Sequence, residues 1–510
     1  MLHGKQILGG ALSRLGSDEF HAVDPRSGTE LEPAFVDATS AEVDRALELA
    51  HGARRALRES SAELRARFLE EIAREIEALG DSLIERTSTE TGLPPARFQM
   101  ERGRTVGQLR MFAGVLRDGT WVDARFDGPD PERKPLPKPD LRRMRRAIGP
   151  VVVFGASNFP LAFSTAGGDT ASAFAAGCPV VVKAHPAHPG ACELVGGAIA
   201  RALATCELPA GAFSLVHGTA ARVGRELVEH PLCEAVGFTG SLAGGRALFD
   251  LAAARPRPIP VFAEMGSINP VFVTAAALER RGAAIAAGLH QSVLLGVGQF
   301  CTNPGVVFVP GGELADHFVG ELAERFAQSE QHTMLHHGIR RAFDAASRRV
   351  AAVNGVATMA RVAAPAETCT AAPAVYCTDL KQFLAEPTLR EEVFGPATLI
   401  VACPSEAAMV DAARALDGQL TATLQAEPED VAGLTDLVAA LEERAGRLVF
   451  NAFPTGVEVG PAMQHGGPYP ATTDARSTSV GTAAIERFVR PVCWQDFPEE
   501  LLPIELRGRG

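Results

Sequence analysis

Val151-Val152-Val153-Phe154, Val180-Val181-Val182-Lys183, Phe213-Ser214-Leu215-Val216, Ala235-Val236-Gly237-Phe238 and Pro260-Val261-Phe262-Ala263 are five short, mostly apolar runs. Stretches with helical apolar spacing separate them, near Leu161–Ala176, Cys192–Thr205, Ala220–Val228 and Leu242–Ala253. Each intervening stretch is long enough to carry the chain back to the edge it left, so the runs predict parallel strands joined by crossover helices. The expected unit is a doubly wound α/β domain, whose ligands sit beyond the carboxyl ends of the strands.

Downstream, between about residues 267 and 475, the alternation is looser, with Val306–Val309, Ala397–Cys403 and Arg447–Phe450 as strand candidates for a second α/β domain. Upstream, Phe20 to Phe35 reads as a hairpin around the turn Asp24-Pro25-Arg26-Ser27-Gly28. Two helices are predicted to start at the capping boxes Thr39-Ser40-Ala41-Glu42 and Ser60-Ser61-Ala62-Glu63, and Leu64, Phe68, Ile72 and Ile76 form one apolar face. A third helix is expected over Arg104–Leu116, and the stretch 125–147, rich in Pro, Arg and Lys, interrupts the pattern.

A chain of 510 residues implies several folding units, and 46% hydrophobic against 22% charged residues is a globular composition. The 49 basic and 61 acidic residues leave a net charge of −12, which argues against nucleic acid or an anionic membrane as partner. There is no apolar run of membrane-spanning length and no signal-peptide pattern at the N-terminus, so a cytoplasmic protein is expected. The nine cysteines form neither a CxxC pair nor a His/Cys cluster at zinc-ligand spacing, and neither disulfides nor structural zinc are expected.

Four features carry chemistry, each with a bland structural alternative. Gly237-Phe238-Thr239-Gly240-Ser241, with Gly244 and Gly245, offers a phosphate-accepting turn at a helix start, although it departs from GxGxxG. Lys183 ends an apolar strand at the ligand side of the sheet, and so does Glu264, in Glu264-Met265-Gly266. Cys301 stands in the loop Gly296-Val297-Gly298-Gln299-Phe300-Cys301-Thr302-Asn303-Pro304-Gly305, where backbone freedom on both sides suits a reactive thiol better than a packed one.

Together with Asn158-Phe159-Pro160 and Glu391-Glu392-Val393-Phe394-Gly395-Pro396, these motifs occur in the order and at similar spacings to those of the aldehyde dehydrogenase superfamily, which the chain resembles over nearly its whole length. Asn451 to Val459 and His465-Gly466-Gly467-Pro468-Tyr469-Pro470-Ala471-Thr472 resemble the branch that oxidises 2,5-dioxopentanoate (α-ketoglutaric semialdehyde), to which NADP-linked fatty aldehyde dehydrogenases are related.

The resemblance implies a Rossmann-type cofactor domain (1–124 and 148–266), an α/β catalytic domain (267–478) and a small β oligomerisation arm (125–147 and 479–510). It makes Cys301 the nucleophile that adds to an aldehyde, Asn158 and the Cys301 amide the oxyanion donors, and Glu264 the base that activates water against the thioester. Lys183 would hold the adenosine ribose, Gly240, Ser241 and Gly245 the pyrophosphate, and Glu392 with Phe394 the nicotinamide side. No metal is required.

NADP is the expected cofactor, with NAD as the alternative. Pro186 stands where NAD-selective relatives carry a glutamate, and Lys183, His185 and Arg222 are the cations expected to meet a 2′-phosphate. Arg104 is expected to bind the anionic end of a short substrate, with Phe159 and His465 as further tunnel walls; a surface pair of Arg104 with Glu101 is the alternative. The insertion, with Arg142, Arg143, Arg145 and Arg146, and the C-terminal tail are expected to pair between subunits of a homodimer or homotetramer. A fatty or general aldehyde dehydrogenase is the rival reading. A catalytically silent binding paralogue is disfavoured by the joint presence of Asn158, Lys183, Glu264, Cys301 and Glu392.

Overall fold

The computed structural model describes residues 2–219, 221–362, 364–365 and 368–508. Ala220, where one crossover helix is expected to start, lies outside the described residues, as do Met1, Arg509 and Gly510 at the ends of the expected units. The fold is α/β, built on two seven-stranded sheets, a three-stranded one and a two-stranded hairpin.

In the first sheet the strands run in the order Val261–Glu264, Ala235–Thr239, Val151–Phe154, Val180–Lys183 and Phe213–Val216, all parallel. The chain steps outward from Val151–Phe154 in one direction and then returns to its other side, so a crevice opens between Val151–Phe154 and Ala235–Thr239. An antiparallel hairpin of Gln6–Leu8 and Ala11–Ser13, unforeseen from sequence, extends the sheet beyond Phe213–Val216. The expected helix over Leu161–Ala176 starts only at Gly168; residues 161–167 form turns, in keeping with Pro160 and the pair Gly167-Gly168.

The second sheet runs Ala357–Arg361, Ala374–Asp379, Ala397–Cys403, Val306–Pro310, Val271–Val273, Gln419–Gln425 and Ala445–Phe450; only the Ala357–Arg361 edge is antiparallel. At the N-terminus Thr39 caps Ser40–Glu59 with the expected reciprocal box to Glu42. The next cap is Ser61 rather than Ser60, because Ser60 closes the preceding helix. The helix expected over Arg104–Leu116 spans Pro95–Asp118, and a helix at Gly80–Thr91 precedes it.

Val489–Gln495 of the tail pairs antiparallel with Leu141–Ala147 of the insertion, which pairs in turn with Arg125–Asp127. The insertion and tail therefore join within one chain into a single sheet. Arg143 and Arg145 of this sheet form ion pairs with Asp123 and Glu486.

Candidate active site

Cys301 lies where the two large sheets meet. Its approach is an unusual run: Gly296, Val297 and Gly298 all have left-handed φ, between +59° and +66°. Gly298 is needed there because a Cβ would stand 2.2 Å from the Gly395 carbonyl carbon. Below the turn, Asn269 donates from Nδ2 to the carbonyls of Cys301 (2.8 Å) and Asn303 (2.9 Å), while Ser267 donates to Gln419 Oε1 at 2.9 Å. This buried amide network clamps the thiol-bearing loop.

Glu264 ends its strand as expected and is buried. The segment 471–473 lies along that strand: Met265 N–H donates to Ala471 O (2.8 Å) and Thr473 N–H to Ala263 O (3.1 Å). This return brings His465, far away in sequence, to the centre of the site. His465 Nε2 is 3.5 Å from Cys301 Sγ in a hydrogen bond and 3.0 Å from Glu264 Oε1. Glu264 Oε1 has no hydrogen-bond partner, so Nε2 meets the sulfur and not the carboxylate in hydrogen-bonding geometry. His465, expected as a tunnel wall, lies between the Cys301 thiol and the Glu264 carboxylate. The Ser479 hydroxyl donates to Glu264 Oε2.

Burial alone would raise the Glu264 pKa, but His465, Ser479 and Cys301 together hold it below the ordinary carboxylate value. Burial, followed by the charges of Glu264 and Glu392, pushes the Cys301 thiol well above its ordinary value, with Arg104 opposing. The resting site is thus a protonated thiol beside an ionised carboxylate, with an imidazole in contact with both. Asn158 is buried and donates from Nδ2 to Gln299 O at 3.1 Å, beside the cysteine loop.

The wall beside Cys301 is aromatic: Phe159 packs edge-to-face on Phe163 and Phe300, with centroids 5.4 and 5.2 Å away. Glu101 does not pair with Arg104. It pairs with Arg97 at 3.2 Å and accepts from the amides of Leu161 and Ala162. Arg104 instead donates to Val457 O (2.9 Å) and lies 5.7 Å from the Phe163 ring. Arg447, unforeseen from sequence, donates to Pro454 O and Gly456 O, in the same segment. Among the described residues neither Arg104 nor Arg447 has a carboxylate within 4.0 Å, and the Nε of each is buried without a partner. Burial depresses the pKa of both, and the charge of a Cys301 thiolate opposes that shift in each case.

At the crevice of the first sheet, Ser241 caps Leu242–Ala253 and accepts from Gly244 N–H at 3.2 Å. Gly245 allows the helix to close on the sheet, since a Cβ would stand 2.6 Å from Met265 Cγ. The open first turn and the buried, unpartnered Thr239 hydroxyl suit a dinucleotide's pyrophosphate. Lys183 ends its strand, with burial lowering its pKa to about 8 and Asp37 opposing. Glu392 packs over Gly266, where a Cβ would meet Glu392 Oε2 at 2.5 Å, and burial raises its pKa to about 7. Phe394 follows it, half-buried.

Two of the expected 2′-phosphate cations are corrected. His185 is held neutral by burial and by the neighbouring His188 and Lys183, and its Nδ1 accepts from Ala187 N–H. Arg222 is exposed and paired with Glu226 at 3.0 Å.

A partly open thiol beside a buried carboxylate and imidazole, next to a crevice at the carboxyl ends of a parallel sheet, is the arrangement these residues form, and the chain belongs to the aldehyde dehydrogenase family, whose pattern it matches over residues 14–489. It is 52% identical over 503 residues to alpha-ketoglutaric semialdehyde dehydrogenase 2 of Azospirillum brasilense, covering 98% of this chain and 96% of that one. It is 45% identical over 509 residues to the alpha-ketoglutaric semialdehyde dehydrogenase of Acinetobacter baylyi, covering 99% and 96%. In fold it is similar to a betaine aldehyde dehydrogenase of Staphylococcus aureus in complex with NAD+, with a TM-score of 0.81 and 19% identity over 98% of this chain and 96% of that one. Among the described residues no helix is long and apolar enough to cross a membrane.

Proposed function

We propose that the protein oxidises a short aldehyde bearing a 2-oxo acid, 2,5-dioxopentanoate, to 2-oxoglutarate with NADP. The observation that carries this reading is the pair Arg104 and Arg447. Two half-buried guanidiniums without a carboxylate partner, both tied to residues 454–457, are costly unless an anion arrives to meet them. A tunnel for fatty aldehydes has no use for two unpaired cations. The names of the two relatives above point the same way.

In this mechanism His465 or Glu264 takes the Cys301 proton as sulfur adds to the aldehyde carbon. The Asn158 amide and the Cys301 N–H stabilise the resulting oxyanion, each contributing about 3 kcal/mol. A nicotinamide dinucleotide, when bound in the crevice, would supply the hydride acceptor for that carbon, and Cys301 would then carry the acyl group. Glu264, kept ionised by its neighbours, then takes a proton from the water that attacks the acyl group. Lys183, Gly240, Ser241, Gly245, Glu392 and Phe394 are the residues that would hold the dinucleotide. The NADP preference rests on Pro186, which leaves no carboxylate to repel a 2′-phosphate, and on Lys183, since His185 is neutral and Arg222 is paired.

The same reading divides the chain as 1–124 with 148–266 for cofactor, 267–478 for catalysis, and 125–147 with 479–510 for assembly. It also sets the enzyme in the cytoplasm, in keeping with nine free thiols. A panel of aldehydes assayed with NADP and NAD tests it. The dioxo acid with NADP should give the highest kcat/KM; preference for long-chain aldehydes overturns the substrate, preference for NAD overturns the cofactor, and inactivity with every aldehyde overturns the enzyme itself.

A further inference from the structure

Glu264, Cys301 and His465 offer more than proton chemistry. One ligand atom of each lies within 4.8 Å of the other two. Sγ and Nε2 are 3.5 Å apart, and Nε2 and Oε1 3.0 Å. With zinc bond lengths of about 2.0 to 2.3 Å, neighbouring ligand atoms of a tetrahedral site stand roughly 3.3 to 3.8 Å apart. The Sγ–Nε2 separation falls in that range, the Nε2–Oε1 separation lies just below it, and the third edge is within 4.8 Å, so small side-chain shifts bring the three atoms onto one tetrahedral face.

The donor set of thiolate, imidazole and carboxylate suits zinc and its softer relatives and is wrong for calcium or magnesium, which take oxygen ligands. The outer contacts also suit a site. Ser479 occupies Glu264 Oε2 and leaves Oε1 without a donor, Thr478 Oγ1 accepts from the His465 backbone N–H at 2.9 Å, and Asn269 fixes the Cys301 carbonyl. Glu264 and His465 are buried, whereas Cys301 is partly open, so the fourth position faces the side from which a substrate reaches the sulfur.

We propose that Cys301 Sγ, His465 Nε2 and Glu264 Oε1 form a three-ligand zinc site with one open position, through which free Zn2+ reversibly switches the enzyme off. On binding, the S–H bond of Cys301 breaks, its proton passes to solvent and a Zn–S bond forms. His465 binds through the Nε2 lone pair with its proton on Nδ1, Glu264 binds through Oε1, and no electron changes hands. Nucleophile and base are withdrawn together, so inhibition is complete and competitive with aldehyde. Loss of turnover rests on the mechanism proposed above; metal binding does not.

The test uses the whole metal-free protein and reads binding without turnover. Co2+ should bind once per chain with the intense visible bands of a tetrahedral site and a thiolate charge-transfer band, Zn2+ should displace it, and Zn2+ should shield Cys301 from iodoacetamide until EDTA is added. His465→Gln and the isosteric Glu264→Gln, each checked for native circular dichroism, should weaken Zn2+ binding by about 100-fold or more while leaving the thiol open to iodoacetamide. Equal Zn2+ protection of the thiol in both variants would place the metal on sulfur alone and overturn the proposal, as would a charge-transfer band that survives in Cys301→Ser. An enzyme that fails to oxidise the dioxo acid yet gives the tetrahedral Co2+ spectrum would reject the substrate reading and leave the metal site standing.

Discussion

At the scale of single residues, the charge state of the resting site fixes what each group is able to do. Because burial and two carboxylates hold the Cys301 proton on, its thiolate fraction rises with pH throughout the neutral range. Inactivation by iodoacetamide should therefore accelerate by roughly tenfold per pH unit from about pH 6 to 8 with no plateau. A plateau in that range would mean that His465 already holds the proton in the resting enzyme. Glu264 has the opposite sign: its pKa is lowered, so it remains ionised at neutral pH and loses its function only in acid. Glu264→Gln should consequently accumulate acyl-enzyme, giving one equivalent of reduced cofactor per site and then little more; steady turnover at the parental rate would remove Glu264 from the mechanism. The two arginines divide binding from chemistry. Arg104→Ala and Arg447→Ala should each raise KM for the dioxo acid by about 10- to 100-fold, or 1.4 to 2.8 kcal/mol, and leave propanal almost unaffected. Equal losses on both aldehydes would make these residues supports of the 454–457 segment.

At the scale of elements, legibility followed the way each element satisfies its backbone and side chains. The five strands of the first sheet were readable to within a residue because they are apolar runs buried on both faces. Gln419–Gln425 was not, since its sequence QLTATLQ looks polar although every residue is buried; Gln419 and Thr421 spend their polar atoms on Ser267 and Asn269. Cys301, Glu264, Asn158 and Lys183 stand at strand ends and in loops, where motif and position are visible in sequence. Arg97, Asn269, Arg447 and Ser479 were missed because their roles depend on partners brought by the fold from distant segments. Asn269 is the sharpest case. Val297 is a β-branched residue in a left-handed conformation, which costs about 1 to 3 kcal/mol and persists only if its surroundings enforce it. The Asn269 bonds to the Cys301 and Asn303 carbonyls fix the loop that follows this turn. Asn269→Ala should lower kcat by about 10- to 100-fold through misplacement of the thiol, with cofactor binding retained. An unchanged kcat, measured at saturating aldehyde, would show the loop to be held without it.

For the whole molecule, the sheets leave two edges whose chemistry argues for a second copy. Val489–Gln495 is the outer strand of the three-stranded sheet, and among the described residues no strand pairs with its far side. Ala445–Phe450 is the outer strand of the second large sheet, and its Leu448 and Phe450 are 41% and 54% exposed. A long edge carrying bare apolar side chains invites pairing, and a soluble monomer normally blunts it with charge, proline or a bulge. Pro491 gives only one such interruption in the tail strand, and Arg447 is the single cation of the Ala445–Phe450 strand, already committed to the 454–457 carbonyls. Three basic residues of the insertion are likewise engaged: Arg142 pairs with Asp140, Arg143 with Asp123 and Arg145 with Glu486, which reduces the free positive surface open to a polyanion. The edges are therefore expected to be covered by another chain of the same kind. Sedimentation at micromolar concentration should give a dimer or tetramer, and Phe450→Glu, by placing a charge on the exposed edge, should shift the mass toward monomer without altering the far-ultraviolet circular dichroism. Because Arg447 lies on the same strand as Phe450, the dissociated variant should also show a raised KM for the dioxo acid. A monomer in the parent protein, or a Phe450→Glu variant that assembles as the parent does, would show that these edges are closed by something other than a partner copy.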